Sequence, residues 1–350
     1  MLPQKIIIKG RFDFGTDKSF EKAIALFRHR LENFYKNDTL IEESMFDEEG
    51  AAFHIPKLIT QASNKTWNNT ISAFEFLSQF AVSGMINAFI AEGGKAISEY
   101  TIEPKNDKAA VQAYLAGKAI VLKKNGHHEE AMKELDQAIT SYNKHAMAYE
   151  KRGYVKFLLK QYDEALIDLN KSIAIDDQNP DPFLGKALIL SMRDQTKEAI
   201  ELLDSALKLC FPVQSIYWKM RRIKGHMHMS LKEFGPASQE FKFFLNKKFE
   251  DTDPNYSWIK IVMWDYANSL IAIENFEEAH KWLNLIEDTP ETGRIVPQVS
   301  FYTCRSEVRN RIGIKNWEED LLKAKALKKK EAKNEKEPPY QPVSGTSSVS

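Results

Sequence analysis

A pattern of apolar residues recurs with a period of 34 residues in the middle of this 350-residue chain. Ala131, Ala165 and Ala199 are each 34 residues apart, and a leucine follows each of them by four residues. Offsets of four residues place such side chains on one face of a helix. A fixed period of about 20 to 50 residues is typical of stacked repeats, so each unit should pack against the next.

Each unit is predicted to contain two antiparallel helices joined by a tight polar turn. A second apolar stripe lies upstream of each alanine, as at Tyr149, Gly153 and Phe157. Small residues stand twelve positions before the periodic alanines, at Ala119, Gly153 and Ala187, where two helices would approach closely. An ordinary helical bundle could show one such pair by chance, but three repetitions at several positions favour a repeat array.

These residues resemble the tetratricopeptide repeat (TPR) family. The unit that matches best contains Tyr149, Gly153, Tyr162, Asp163, Glu164, Ala165, Leu169 and Ile173. Ser172 replaces the later alanine of the family pattern, and Asp177 replaces its closing proline. Less regular units follow, and the resemblance covers residues 112–327. It implies about six helical hairpins arranged as an all-α superhelix.

The first hundred residues predict a small α/β domain instead of further repeats. The expected elements are a strand at 6–14, a helix at 20–34, a hairpin at 40–55, a long helix at 68–91 and a strand at 96–102. This β-α-β-β-α-β order is that of a ferredoxin-like domain. The fold class is therefore α+β, with a ferredoxin-like domain at 1–104, the TPR superhelix at 105–327 and a disordered tail at 328–350.

The apolar segment 71–91 is long enough to span a membrane and contains one charged residue, Glu75. Polar residues nevertheless recur along it at spacings of three and four: Ser72, Glu75, Gln79, Ser83 and Asn87. One polar stripe favours an amphipathic helix lying on a sheet over a transmembrane helix.

The charge and cysteine content restrict the classes of function. Lysine plus arginine and aspartate plus glutamate each number 49, so the formal net charge is zero. Nucleic-acid and anionic-membrane binding both need a basic excess, and neither is expected. The only cysteines, Cys210 and Cys304, provide no disulfide framework and suit a reducing compartment, so we expect a cytoplasmic protein.

The sequence contains no motif that predicts catalysis, a cofactor or a metal site. Residues 93–95, Gly-Gly-Lys, lack the spacing and the hydroxyl residue of a phosphate loop. His226 and His228 are two residues apart on a predicted helix, so their side chains would point in different directions. We therefore expect a protein that is not an enzyme.

The family resemblance also implies which residues line the concave face, since the first helix of each TPR unit does so. Carried over by position, these residues are Tyr154, Phe157, Leu184, Leu188, Lys219, Arg222, His226, Trp264, Asn268, Tyr302, Arg305 and Arg309. The first half of this set is apolar and the second half is basic and aromatic, which are residue types that bind strongly. The alternative is that several of them pack against the next repeat or the amino-terminal domain.

The expected function is that of a non-catalytic adaptor or scaffold. Its groove would bind a protein or peptide with apolar anchors and some acidic character. Two alternatives remain open: residues 1–104 could be a small-ligand sensor or enzyme domain with the repeats as a docking module, or the chain could be a structural subunit of an assembly. The sequence does not indicate the oligomeric state.

Overall fold

The computed structural model describes residues 4–93, 95–123, 126–290 and 292–334. The chain divides into two compact units, residues 1–220 and 221–350. The first unit contains a β-sheet and the first helical hairpins, and the second contains the later hairpins.

The described part of the first unit contains a five-stranded antiparallel sheet. Its strands are β1 (Gln4–Asp13), β2 (Phe46–Asp47), β3 (Ala52–Ala62), β4 (Ser83–Glu92) and β5 (Lys95–Ile102), in the spatial order β2-β3-β1-β4-β5. Helix α1 (Asp17–Asn33) connects β1 to β2, and α2 (Asn64–Ser78) connects β3 to β4. The order β1-α1-β2-β3-α2-β4 confirms the ferredoxin-like arrangement, and β5 adds an edge strand.

Both helices begin at a hydroxyl cap and bury one face on the sheet. Thr16 Oγ1 accepts a hydrogen bond from the Ser19 amide at 3.2 Å, and Ser63 Oγ accepts one from the Thr66 amide at 3.1 Å. Such caps satisfy a free amide of the first turn. The core between the helices and the sheet contains side chains that are at most 3% exposed: Ile6, Ile8, Phe12, Phe14, Phe20, Phe27, Phe53, Phe74 and Ile86.

The prediction of a single long helix over 68–91 is wrong. Helix α2 ends at Ser78, and β4 occupies the remainder of the apolar run. Ile86 and Ala88 of β4 face the helices, whereas Phe89 and Ala91 lie in an apolar cluster on the opposite face of the sheet. A strand that is buried on both faces shows a nearly continuous apolar run, which periodicity does not distinguish from a buried helix.

The hairpin expected at 40–55 is shorter on its first side than predicted. Only Phe46–Asp47 pairs with β3, and Glu43–Met45 forms a 3-10 helix. The strand expected at 96–102 is present, but it is the additional edge strand β5 and not the fourth strand of the ferredoxin-like order.

The second face of the sheet packs against the helical hairpins of the first unit. Ile7, Phe89 and Ala91 form a buried cluster with Phe211. The Lys9 ammonium donates hydrogen bonds to the Gln178 carbonyl at 2.5 Å and to the Leu209 carbonyl at 2.6 Å. The sheet and these hairpins therefore share one compact unit, and the domain boundary after residue 104 stays a prediction.

The remainder of the described chain forms helices that pair in succession. The pairs are α3 (Ala109–Lys123) with α4 (His128–Ser141), α5 (Ala146–Leu158) with α6 (Tyr162–Ile175), α7 (Asp181–Met192) with α8 (Thr196–Lys208), α9 (Ser215–Ser230) with α10 (Phe234–Leu245), α11 (Ile259–Ala272) with α12 (Phe276–Asp288), and α13 (Gln298–Arg311) with α14 (Glu318–Asn334). Lys160, Asp194, Lys232 and Glu274 adopt positive φ in the turns after α5, α7, α9 and α11. A left-handed residue is a common way to end a helix.

The 34-residue pattern is the core of the first three hairpins, as expected. Its alanines and leucines are at most 1% exposed: Ala131, Leu135, Ala165, Leu169, Ala199 and Leu203. A Cβ added at Gly153 would lie 3.0 Å from Leu169 Cγ, so this glycine permits the close approach of α5 and α6. The prediction that Ala119 permits the same close approach in the first hairpin is wrong. Ala119 is exposed, and Gly117 approaches Leu135 instead.

Helix α14 continues to Asn334, so residues 328–334 are helical although they were expected in the tail. Residues 335–350 lie outside the described part of the chain. Within the described residues, no helix is both long and apolar enough to cross a membrane.

Candidate functional site

Five of the predicted residues line one cavity in the first unit: Tyr154, Phe157, Leu184, Leu188 and Lys219. Tyr154 and Phe157 of α5 and Leu184 of α7 line a cavity of about 200 Å³. Its other walls include Val121, Leu122, Leu169, Gly185 and Leu188. The cavity is therefore mostly apolar and is built from the first helices of successive hairpins.

Helical spacing explains why these side chains meet. Glu150, Tyr154 and Phe157 follow one another at four and three residues, so they lie on one face of α5. Leu184 and Leu188 have the same relation on α7. Gly153 and Val155 of α5 pack in the repeat core. Phe157 and Leu169 contact that core as well and also form part of the cavity wall, so the cavity lies directly on the repeat core.

Charged groups stand beside the apolar wall. The Lys151 ammonium lies 2.8 Å from the Glu150 carboxylate, and Asp181 and Lys219 also line the cavity. Burial raises the pKa of the Glu150 carboxyl, and Lys151 offsets part of that effect. A ligand in the cavity would therefore meet apolar surface together with charges of both signs.

A second cavity adjoins the first and encloses about 300 Å³. The two share Val121 and Tyr154, and the second is also lined by Ile120, His127, His128 and Leu158. Because Tyr154 lines both cavities, it separates them, and its side chain is 39% exposed.

The second unit contains the remaining predicted residues, of which Arg222 and His226 lie close together. Arg222 is 5% exposed, and its guanidinium carbon lies 3.4 Å from the centre of the Trp258 ring. His226 Nε2 is 2.9 Å from the Asp265 carboxylate, and its ring lies 6.5 Å from that of Trp258.

Trp264 and Asn268 of α11 make contacts within the second unit. The Trp264 ring packs against Phe301 at 6.2 Å, and Asn268 donates a hydrogen bond to the Trp264 carbonyl at 2.9 Å. The thiol of Cys304 lies 3.8 Å from Asn268 Oδ1. These contacts join α11 to α13.

Arg305 and Arg309 of α13 form ion pairs with α14. Arg305 is 1% exposed; its Nε and Nη2 atoms each donate to the Asp320 carboxylate at 2.8 Å, and Nη1 donates to Glu287 at 2.6 Å. Arg309 Nη1 also lies 2.8 Å from Asp320. Tyr302 donates to Glu287 at 3.3 Å. Arg305 is therefore fully engaged in ion pairs within the fold.

Several residues of these sites were not predicted from the sequence. Leu122 is 63% exposed and lines the first cavity, but the register assumed for the first hairpin gave it no role. Trp258 and Arg294 lie in segments between hairpins, where the repeat pattern predicts nothing. The only sequence signal for these two residues was the presence of an aromatic residue or an arginine in a connection between hairpins that is otherwise polar.

The described residues contain no group of three or more histidine, cysteine, aspartate or glutamate side chains arranged to hold a metal ion. A cavity between the sheet and the hairpins of the first unit, lined in part by Lys9, Arg11 and Asn179, encloses about 40 Å³. That volume is well below the roughly 300 Å³ at which small-molecule pockets begin.

No known family model matches the sequence, and no curated protein matches it. The chain is similar in structure to Pseudomonas aeruginosa PilF, with a TM-score of 0.51 and 16% identity over 66% of this chain and 99% of that one. It is also similar to PilW, described as a widely conserved type IV pilus biogenesis factor (TM-score 0.48, 14% identity, 63% of this chain and 92% of that one). A third similar structure is YrrB, a TPR protein with an unusual peptide-binding site (TM-score 0.40, 21% identity, 51% and 85%).

Proposed function

Because the helical hairpins have the tetratricopeptide repeat fold, we propose that this protein is a non-catalytic adaptor that binds a peptide segment of another protein. The observation that carries the proposal is the apolar cavity formed by Tyr154, Phe157 and Leu184 in the first unit. A repeat array presents the first helices of its hairpins for such contacts.

The division of this surface into two cavities by Tyr154 suits side-chain anchors of a peptide. The two adjoining cavities enclose about 200 Å³ and about 300 Å³. Two cavities separated by one tyrosine suit two apolar side chains that project from a peptide.

The exposed apolar surface near the cavities supports the same function. Leu122, Tyr154, Leu158 and Leu159 are each 39% to 63% exposed. Aromatic and apolar anchors that fill pockets supply much of the binding energy in protein interfaces, and a polar rim gives specificity. Glu150, within the cavity, is buried beside Lys151 and would favour a peptide that offers a hydrogen-bond donor there.

The proposal is tested with a displayed peptide library and a substitution of the residue between the cavities. Peptides selected on the full chain should carry large apolar residues, and Tyr154→Asp should weaken the best of them by about tenfold or more, as expected for the loss of an anchor. Fluorescence anisotropy with the labelled peptide measures the change.

Tyr100→Asp is the matched control, because Tyr100 is also 39% exposed and lies on β5, away from the residues that line both cavities. Its affinity should equal that of the wild type. Equal affinities for all three proteins would show that the peptide does not use the cavities.

A further inference from the structure

Arg222 is a buried cation without a carboxylate partner. It is 5% exposed, its Nε atom is inaccessible and has no hydrogen-bond acceptor, and no ion pair joins it to another described residue. A guanidinium is always protonated, so burial does not remove its charge. Buried charges are normally paired and hydrogen-bonded, since an unpaired one costs several kcal/mol.

A second arginine lies on the other side of the same aromatic ring. The Arg222 guanidinium carbon is 3.4 Å from the centre of the Trp258 ring, and that of Arg294 is 3.3 Å from the same centre. Both cations gain from the ring, but their charges repel each other. Burial lowers the pKa of Arg222 to about 10, and Arg294 contributes to that shift.

The acidic group that acts on the pKa of Arg222 already has another partner. Asp265 favours the charged form of Arg222, but its Oδ2 atom lies 2.9 Å from His226 Nε2. No described carboxylate forms an ion pair with either Arg222 or Arg294. The two cations at Trp258 are therefore without an ion-pair partner among the described residues, and Asp265 compensates their charge only in part.

The segment that holds Arg294 contains another buried donor without a partner. Thr292 is 8% exposed, and its Oγ1 has no hydrogen-bond partner. Gly293 adopts a φ of +107°, which favours glycine, and a Cβ there would lie 3.7 Å from Ser257, the residue before Trp258. The conformation of this glycine thus brings the segment with Thr292 and Arg294 against the turn that carries Trp258.

We propose that Arg222, Arg294 and Thr292 form a binding site for an oxyanion, a phosphate or a carboxylate group, at the edge of Trp258. Guanidinium groups bind both anions through paired N–H donors, and a hydroxyl supplies a further donor. An anion would neutralise the two stacked cations and satisfy the buried donors. This site is built from the second unit alone and does not depend on the cavities of the first.

The test is isothermal titration calorimetry of the full chain with sodium phosphate and, separately, sodium acetate, at constant ionic strength set with sodium chloride. The variants are Arg294→Met, which changes an exposed residue, and Arg222→Met. Arg311→Met is the control, because Arg311 also lies over an aromatic ring, at 5.0 Å from the centre of Phe276, but outside the site.

The wild type and Arg311→Met should bind at least one of the two anions saturably. Arg294→Met and Arg222→Met should weaken that binding by about tenfold or more, as expected for the loss of a charge-assisted hydrogen bond. A preference for phosphate or for acetate then identifies whether the site binds a phosphate or a carboxylate group.

Equal binding by all four proteins would overturn the proposal, because the site would then lie elsewhere. The absence of saturation by either anion below about 10 mM would also overturn it, since such weak binding is below that of a specific site. Arg222→Met could change the fold, but Arg294→Met, at an exposed position, still decides the outcome.

Discussion

Acidification should destabilise the first unit through one buried imidazole, that of His145. His145 is 1% exposed and stands before α5, where its Nδ1 accepts a hydrogen bond from the Ala148 amide at 3.2 Å and lies 3.1 Å from Ser83 Oγ of β4. Its Nε2 is buried without a partner. A proton on Nδ1 would remove the acceptor and leave a buried charge.

The pKa of His145 gives the direction and size of the effect. Burial lowers this pKa from 6.5 to about 4. The unfolded chain therefore binds a proton as the pH falls below 6.5, whereas the folded chain does not bind it until about pH 4. The stabilisation by neutral His145 is fully present above pH 6.5 and is lost as the pH falls towards 4. The loss between pH 8 and pH 5 is about 2 kcal/mol.

Urea denaturation of the wild type and of His145→Asn, at pH 8 and pH 5, measures this contribution. Asparagine can also cap a helix, but it does not titrate in this range. The free energy of unfolding should therefore fall by about 2 kcal/mol less in the variant than in the wild type. His29→Asn, at an exposed position, separates the effect of burial from the general loss of a histidine. The same pH dependence in the wild type and His145→Asn would refute the reasoning.

Two further predictions concern the stability of the second unit. Arg305→Met removes one of the cations that pair with the Asp320 carboxylate, which is 1% exposed. The free energy of unfolding, measured with urea, should fall by about 3 kcal/mol. A loss below about 1 kcal/mol would contradict a stabilising contribution of this buried ion pair. Gly225→Ala places a Cβ 2.5 Å from the buried Phe241 ring and should cost about 2 kcal/mol after the gain in helix propensity, measured as a lower Tm. Gly235→Ala adds a methyl that meets no atom within 4 Å and should be neutral or slightly stabilising; equal losses at the two glycines would exclude steric contact as the cause.

The repeat hairpins could be predicted because their signal is local. Ala165 and Leu169 are one helical turn apart, so their common face follows from the sequence before any distant contact is known. The structure confirms that both are buried. The same spacing places Tyr154 and Phe157 on one face of α5, and the packing of α7 against α5 brings Leu184 to the same cavity. The sequence did not indicate the volume of that cavity or its charged neighbours.

The amino-terminal elements were predicted less completely because their signal depends on the sheet. The order of strands and helices could be derived, but β4 was interpreted as a helix. Its apolar run arises because Ile86 contacts the helices on one face of the sheet and Phe89 contacts Phe211 on the other. That second contact joins residues far apart in the sequence, so no local pattern predicts it.

The sequence by itself determined the paired helices, their period and the faces that pack together, because these depend on side chains three to four residues apart. Only the tertiary structure decided which arginines have a carboxylate partner and which do not. Arg305 is enclosed by Asp320 and Glu287. Arg222, by contrast, stacks on one face of the Trp258 ring, with the exposed Arg294 on the other face, and forms no ion pair with a described carboxylate. The difference arises from residues on other helices and turns, and the energy of a buried charge depends on those neighbours more than on its own position in a helix.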